Sequence, residues 1–126
     1  MTGKAIGAVA GSAHAAFLAD FYRGSKVTTF PNVADLRDAL KAGKIDAIFS
    51  DGPSLAVWLA GTDSGGCCRF AGGPYLEPRN FGHGEGFAVR SADAAFAQAL
   101  DAALWDLEGS GRLAEIERRY FPVSFE

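Results

Sequence analysis

Strand-like and helix-like patterns alternate along this chain from its first residues, and this alternation restricts the fold more than any other feature. Apolar and β-branched runs predict strands at residues 5–10, 26–30, 44–50, 68–71 and 86–90. Apolar residues spaced three and four apart predict helices at residues 13–22, 32–42, 52–61, 92–108 and 112–120. Because such alternating units form parallel sheets with right-handed crossovers, the sequence predicts an α/β, doubly wound fold. We expect a mostly parallel sheet with helices on both faces.

The first predicted strand runs into a glycine and a hydroxyl residue before a helix begins. Gly11 can make this turn, and Ser12 can cap the helix that follows. The unpaired backbone N–H groups of such a helix start also attract a carboxylate or a phosphate, and the helix dipole adds about 0.3–1 kcal/mol. Two interpretations therefore stand for residues 11–14: a capped turn alone, or a capped turn that also binds an anion.

The third predicted strand delivers an acidic residue at its end. Asp51 follows strand 44–50 and precedes Gly52-Pro53, which suits the first turn of a helix. In open α/β sheets ligands bind beyond the carboxyl ends of the strands. If the first and third strands are neighbours, Asp51 offers a contact for a cation close to the anion corner at Gly11 and Ser12. That pair is complementary to an α-amino acid. Asp51 is also suited to capping the next helix, and the two roles can coexist.

The composition argues against several classes of partner. The chain has 126 residues, of which 48% are hydrophobic, so one compact domain with a real core is expected. Its formal net charge is -3 and it has no basic run, which argues against nucleic acid or an anionic membrane surface as partner. The apolar runs are shorter than the ~20 residues of a membrane span, and the first residues lack a signal-peptide pattern.

The two cysteines of the chain, Cys67 and Cys68, are adjacent. Consecutive Cα atoms lie about 3.8 Å apart, below the usual disulfide range of about 4.4–6.8 Å, so a bridge between them would be strained. We expect two small buried residues in a strand instead. The histidines His14 and His83 are far apart in sequence, and adjacent cysteines lack the spacing of metal ligands, so no metal site and no cofactor are predicted.

Four segments, in this order and spacing, resemble a known family. They are Gly3–Ser12 (GKAIGAVAGS), Leu40–Asp51 (LKAGKIDAIFSD), Gly86–Arg90 (GFAVR) and Gly109–Ile116 (GSGRLAEI) followed by Tyr120-Phe121. Together they cover nearly the whole chain and are similar to the family 3 solute-binding proteins of bacterial ABC importers, chiefly those for polar amino acids. The passage from Gly72 to Gly82 looks most like the branch that handles basic amino acids and opines.

The resemblance implies one lobe of a type II periplasmic-binding-protein fold, whose two lobes together trap a polar or basic amino acid or a related solute. In that family, the positions of Gly11 and Ser12 donate hydrogen bonds to the ligand carboxylate, and the position of Asp51 holds its ammonium group. Ala13 and His14 complete the candidate ligand-binding set, with Ala13 standing where the family usually has a second hydroxyl residue. The resemblance further implies a periplasmic location and the membrane subunits of an ABC transporter as partners.

Members of this family have two lobes and about twice the length of this chain. By resemblance, residues 1–82 are the second, ligand-binding lobe, and residues 83–126 are a hinge strand with C-terminal helices that return to the first lobe. The helices predicted over residues 92–120 then carry an apolar stripe whose partner lies outside this chain. We expect them to fold back onto this lobe or to pair with a second copy of the chain.

Two other classes are weighed against a binding protein. A dehydratase that resembles solute-binding proteins would act on a cyclic acid, and its acid and base candidates are Asp51, Glu85, His14 and His83. His14 lies in the first turn of a helix, where the dipole lowers its pKa and favours a neutral role. A receiver domain would need an acidic pair after the first strand, where this chain has Gly11 and Ser12. Amino-acid binding without catalysis is the favoured hypothesis.

Overall fold

The computed structural model describes residues 2–72, 75–82 and 86–121, which form two compact units. The first unit ends, among the described residues, at Gly82, and the second begins at Gly86. The first contains β1 (Ala5–Val9), α1 (Ala13–Phe21), β2 (Lys26–Phe30), α2 (Val33–Lys41), β3 (Ala47–Ile48), α3 (Gly52–Ala60), a 3₁₀ turn (Thr62–Ser64) and the short α4 (Pro78–Phe81). The second contains α5 (Ala94–Gly109) and α6 (Arg112–Tyr120).

The sheet of the first unit has three parallel strands in the order β2-β1-β3. β1 pairs along its whole length with β2, and Ile6 and Gly7 of β1 lie opposite Ala47 and Ile48 of β3. This confirms the predicted parallel sheet. It also makes the first and third strands neighbours, which is the condition on which the predicted two-contact site depends.

Helices cover both faces of this sheet, because successive side chains of a strand point to opposite faces. Ile6 and Ala8 of β1 pack with Leu18 of α1 in one buried cluster. Val9, one residue further along, packs on the other face against the cluster around Leu36 of α2. The predicted α/β architecture with helices on both faces is therefore confirmed.

The three helices of the first unit that were predicted begin at polar caps. Ser12 Oγ accepts from the Ala15 N–H at 3.1 Å, and Asn32 Oδ1 accepts from the Asp35 N–H at 2.9 Å. Asp51 Oδ2 caps α3 in the same way. Each cap supplies an acceptor for an N–H that the first turn of a helix leaves unpaired. These local signals explain why the starts of α1, α2 and α3 agree with the sequence prediction to within a residue.

Two predicted strands are wrong, and a third is shorter than predicted. Residues 68–71 and 86–90 have no regular secondary structure. β3 covers only Ala47–Ile48 of the predicted 44–50. Its early part is lost because the Lys44 N–H donates to Ala39 O at 2.9 Å, so that residue turns back towards α2 instead of extending along β1.

The expectation for the adjacent cysteines is also wrong. Cys67 and Cys68 are joined to each other by a disulfide, with Cα atoms 3.7 Å apart. Cys67 is exposed and Cys68 is half-buried, so neither is a core residue of a strand. Gly65 and Gly66 precede them with φ values of 60° and 68°, and this left-handed backbone, which favours glycine, turns the chain into a surface loop.

The second unit is a pair of helices in contact with each other. A turn at Gly111, with φ at 73°, separates α5 from α6. No described residue of either helix is fully buried, and Phe96 and Trp105 of α5 are 58% and 74% exposed. Among the residues that the structure describes, no helix is long and apolar enough to cross a membrane.

Candidate functional site

The end of β1 and the start of α1 form a corner built around Ser12. Its hydroxyl donates to the Val9 carbonyl at 2.7 Å and accepts from the Ala15 N–H at 3.1 Å, which fixes the side chain in the turn. Gly11 has φ at 72° and open space where a Cβ would stand. The turn therefore needs a residue that tolerates left-handed backbone, and it leaves room in front of Gly11 for another molecule.

Backbone donors remain unpaired at this corner. Within residues 2–72, 75–82 and 86–121, no acceptor is found for the N–H groups of Gly11, Ala13 and His14. Ala10, by contrast, donates to Phe30 O at 2.8 Å, and the Ser12 N–H makes a 3.2 Å contact to Val9 O. These three N–H groups lie within four residues at the positive end of a helix dipole, and such a group of donors is suited to a carboxylate.

Asp51 stands at the start of α3 with one carboxylate oxygen in use. Its Oδ2 accepts from the Ser54 N–H at 2.8 Å, so the predicted capping role is real. The side chain is exposed, and Oδ1 accepts no hydrogen bond from the described part of the chain. One oxygen thus remains for a cationic group while the other holds the helix start.

The sheet register brings Asp51 close to the Ser12 corner. Gly7 and Ile48 are paired, so Ala10 and Asp51 each follow a paired position by three residues on neighbouring strands. Neighbouring strands lie about 4.8 Å apart. The negative charge of Asp51 also reaches His14, where it opposes the larger effect of burial on the pKa of the imidazole. Asp51 and the start of α1 therefore share one end of the sheet.

His14 occupies a half-buried position in this corner. Burial lowers the pKa of His14 below its ordinary value of 6.5, and the charge of Asp51 opposes that shift. The imidazole packs edge-on against Phe49 at 5.4 Å and lies 5.2 Å from the ring of Phe81, measured between ring centroids. At neutral pH the ring is therefore uncharged, as a neutral hydrogen-bonding role requires.

The comparisons with known proteins identify related binding proteins. The chain is 31% identical to an L-arginine-binding protein of Pseudomonas aeruginosa over 98 residues. The matched region covers 78% of this chain and 38% of that protein. It is 29% identical over 122 residues to ABC transporter arginine-binding protein 1 of Escherichia coli, a match that covers 97% of this chain and 49% of that protein. It is 28% identical over 123 residues to the lysine/arginine/ornithine-binding periplasmic protein of Escherichia coli, a match that covers 96% of this chain and 47% of that protein.

This chain is a homologue of the family 3 solute-binding proteins. No protein-family model matches it. The chain spans less than half the length of the relatives named above, between 38% and 49%. The relatives are binding proteins, not enzymes, and two of them are named for arginine alone.

An aromatic cluster beside the Ser12 corner could not be found from the sequence. The ring of Phe17 in α1 lies 5.1 Å from Phe49, 5.3 Å from Phe81 and 5.7 Å from Tyr75. The Tyr22 and Tyr75 hydroxyls are hydrogen-bonded at 3.1 Å. These residues come from four separate segments, so no single pattern could have predicted the cluster. The signal available was only the high phenylalanine content, ten residues in the whole chain.

A cavity of about 390 Å³ borders this cluster. It is lined by Phe17, Phe21, Tyr22, Tyr75, Leu76 and Glu77. Phe21 is 52% exposed and lies at this cavity instead of in the core, whereas Phe17 is buried.

Two further kinds of candidate were considered, an acid and base pair and a metal site. Glu85 and His83, considered as acid and base for a dehydratase, lie outside the described residues. In the described ranges, no group of three or more histidine, cysteine, aspartate or glutamate side chains is arranged to hold a metal ion. The residues that the structure brings to one place are thus Gly11, Ser12, Ala13, His14 and Asp51.

Proposed function

We propose that this chain binds the carboxylate and the ammonium group of a basic or polar amino acid, as part of a solute receptor that serves an ABC importer. The neighbouring strand ends supply the main support, because unpaired N–H groups at Gly11, Ala13 and His14 stand at the same end of the sheet as Asp51. The names of the relatives support a basic ligand such as arginine, and the name of the third supports a periplasmic location.

In this proposal the ligand carboxylate accepts from the backbone N–H groups of Gly11, Ala13 and His14, with the Ser12 hydroxyl nearby. The ligand ammonium donates to Asp51 Oδ1 while Oδ2 continues to cap α3. A charge-assisted hydrogen bond of this kind contributes about 1.5–3 kcal/mol. We expect weak binding by this chain alone, because water reaches a corner that is covered from one side only.

Amide chemical shifts in a ¹⁵N-labelled sample, titrated with arginine, are suited to such weak binding. We expect the largest shifts at Gly11, Ala13, His14 and Asp51. Two analogues separate the two contacts: agmatine lacks the carboxylate and should leave residues 11–14 unmoved, while N-acetylarginine lacks the ammonium group and should leave Asp51 unmoved. Shifts that fall outside this corner would rule the proposal out.

A charge-only variant tests the acidic contact without unfolding α3. Asp51→Asn keeps an oxygen that can cap the helix, and we expect it to weaken arginine binding about tenfold to hundredfold. Asp38→Asn, which removes one exposed carboxylate from α2, is the matched control and should bind as the unchanged chain does. Equal affinities of the two variants would show that Asp51 does not hold the ligand.

We also propose that the exposed apolar residues of α5 and α6 are covered by polypeptide outside this chain. The relatives have about twice its length, so the candidates are a first lobe like theirs and a second copy of the chain. The membrane subunits of an ABC transporter are the partners expected for the complete receptor. Exposed Phe96 and Trp105 on α5, together with exposed Ile116 and Tyr120 on α6, support a covered surface.

A further inference from the structure

The adjacent cysteines are not among the residues of the Ser12 corner. They carry redox chemistry, because they are joined by a disulfide. Cys67 and Cys68 follow the 3₁₀ turn Thr62–Ser64 on a surface loop, and Cys67 is exposed to solvent. Successive side chains in extended backbone point in opposite directions, yet these two sulfurs are bonded to each other. The loop therefore holds both sulfur atoms on one side of the chain.

The backbone around this pair is tied to the body of the first unit. Ser64 is 1% exposed, and its hydroxyl contacts the carbonyls of Leu59 at 3.3 Å and Gly61 at 3.2 Å. The Cys67 N–H donates to Ser64 O at 3.2 Å. The Lys41 ammonium donates to the Asp63 carbonyl at 2.6 Å. None of these contacts involves a sulfur atom, so the loop up to Cys67 remains tied to the first unit when the disulfide opens, and Cys68 is the next residue in the chain.

Two adjacent thiols select a particular class of ligand. Zinc in a structural site takes four protein ligands, and the described residues provide no cluster of even three candidates here. Thiolates prefer soft, thiophilic elements. A monosubstituted trivalent arsenical has two exchangeable positions and one fixed substituent, so two thiols satisfy it fully. The chelate ring that forms is only one atom larger than the ring that the disulfide closes.

We propose that Cys67 and Cys68 form a redox-controlled binding site for monosubstituted trivalent arsenicals, closed as the disulfide and open as the dithiol. Opening needs a two-electron reductant. With a trialkylphosphine and water, phosphorus supplies the electron pair that breaks the S–S bond and takes up the water oxygen as a phosphine oxide. The two protons of the water end on the two sulfurs, which become thiols. With phenylarsine oxide, both S–H bonds are then replaced by S–As bonds, and the arsenic oxygen leaves as water.

Intact-mass spectrometry of the full chain with phenylarsine oxide tests this site. Without reductant we expect no adduct. After reduction with a trialkylphosphine and its removal, we expect one phenylarsenic group per chain that survives a wash with a monothiol such as glutathione. Reduced wild-type chain that takes up no arsenical, or that loses it in this wash, would overturn the proposal, as would an adduct of equal yield without reductant.

Matched variants separate chelation from attachment through one sulfur. Cys67→Ser and Cys68→Ser each keep one thiol, and we expect both to lose the arsenical in the glutathione wash. Retention by either single variant at the wild-type level would contradict a two-sulfur site. Circular dichroism of the reduced chain provides the folding control. An unchanged spectrum is expected because the contacts of Ser64 and Lys41 do not depend on the disulfide.

Discussion

His14 makes the stability of the first unit depend on pH. Burial lowers its pKa in the folded chain, so between that lowered pKa and 6.5 the unfolded chain binds more protons than the folded one. The free energy of unfolding should therefore rise with pH across this window and level off above it. The stability that neutral His14 contributes is lost as pH falls through the lowered pKa. We expect His14→Gln to flatten the rise in urea titrations at a series of pH values.

Retention of the full rise with pH by His14→Gln would show that the assignment to His14 is wrong. Asp51 belongs to the same comparison, because its charge favours protonated His14; Asp51→Asn should lower the pKa of His14 further.

At single residues, local chemistry was predictable where the signal lies in neighbouring positions. The caps at Ser12 and Asp51 follow from residue type and from what comes next in the chain. The lowered pKa of His14 was predicted in direction, but burial against aromatic rings causes it, which a helix-dipole argument could not foresee. The pairing of Cys67 with Cys68 was mispredicted, because average disulfide geometry says little about a loop shaped by Gly65 and Gly66.

At the scale of elements, β1 depends on a glycine in its centre. A Cβ added to Gly7 would stand 2.6 Å from Ile45 Cδ1, 2.7 Å from Leu36 Cδ1 and 3.0 Å from Phe30 Cε2. Crowding in a packed core typically costs about 1–3 kcal/mol, although these contacts are the ends of side chains that can shift in part. We expect Gly7→Ala to lower the free energy of unfolding by about this amount in urea titrations.

Gly24→Ala is the matched control for Gly7→Ala. Its Cβ would meet Thr2 at 3.5 Å, an ordinary contact, and its backbone is not left-handed. We expect this variant to be neutral or more stable by about 0.4–1 kcal/mol, because alanine restricts the unfolded chain. If Gly7→Ala is as stable as Gly24→Ala, the two faces of the sheet are less tightly packed at β1 than the distances indicate.

Helices of this chain could be predicted better than its strands for a physical reason. A helix satisfies its hydrogen bonds internally, so polar caps and apolar spacing suffice to locate α1, α2 and α3, and apolar spacing alone locates α5 and α6. A strand exists only beside a partner, and residues 68–71 and 86–90 have none in the described structure. The order β2-β1-β3 was not contained in any local pattern, yet it decides that Asp51 and the start of α1 share one end of the sheet.

For the whole molecule, the resemblance predicted the family and the α/β lobe, and the comparisons and the sheet confirm both. The partner of the apolar residues of α5 and α6 could not be predicted. The spacing of apolar residues predicts that a helix has an apolar face, but it does not identify the surface that packs on that face. The chain matches 47–49% of the length of the two Escherichia coli relatives named above.

The exposed apolar residues of α5 predict self-association of this chain. Phe96 is 58% exposed on the face that also carries the half-buried Leu100, Leu104 and Leu107, and uncovered surfaces of this kind associate in water. We expect the mean mass from light scattering to rise with concentration. Phe96→Glu should reduce that rise by placing a charge in the contact, whereas Gln98→Glu adds the same charge at a polar position and should not. A strictly monomeric chain over a wide concentration range would exclude a second copy as the cover for this face.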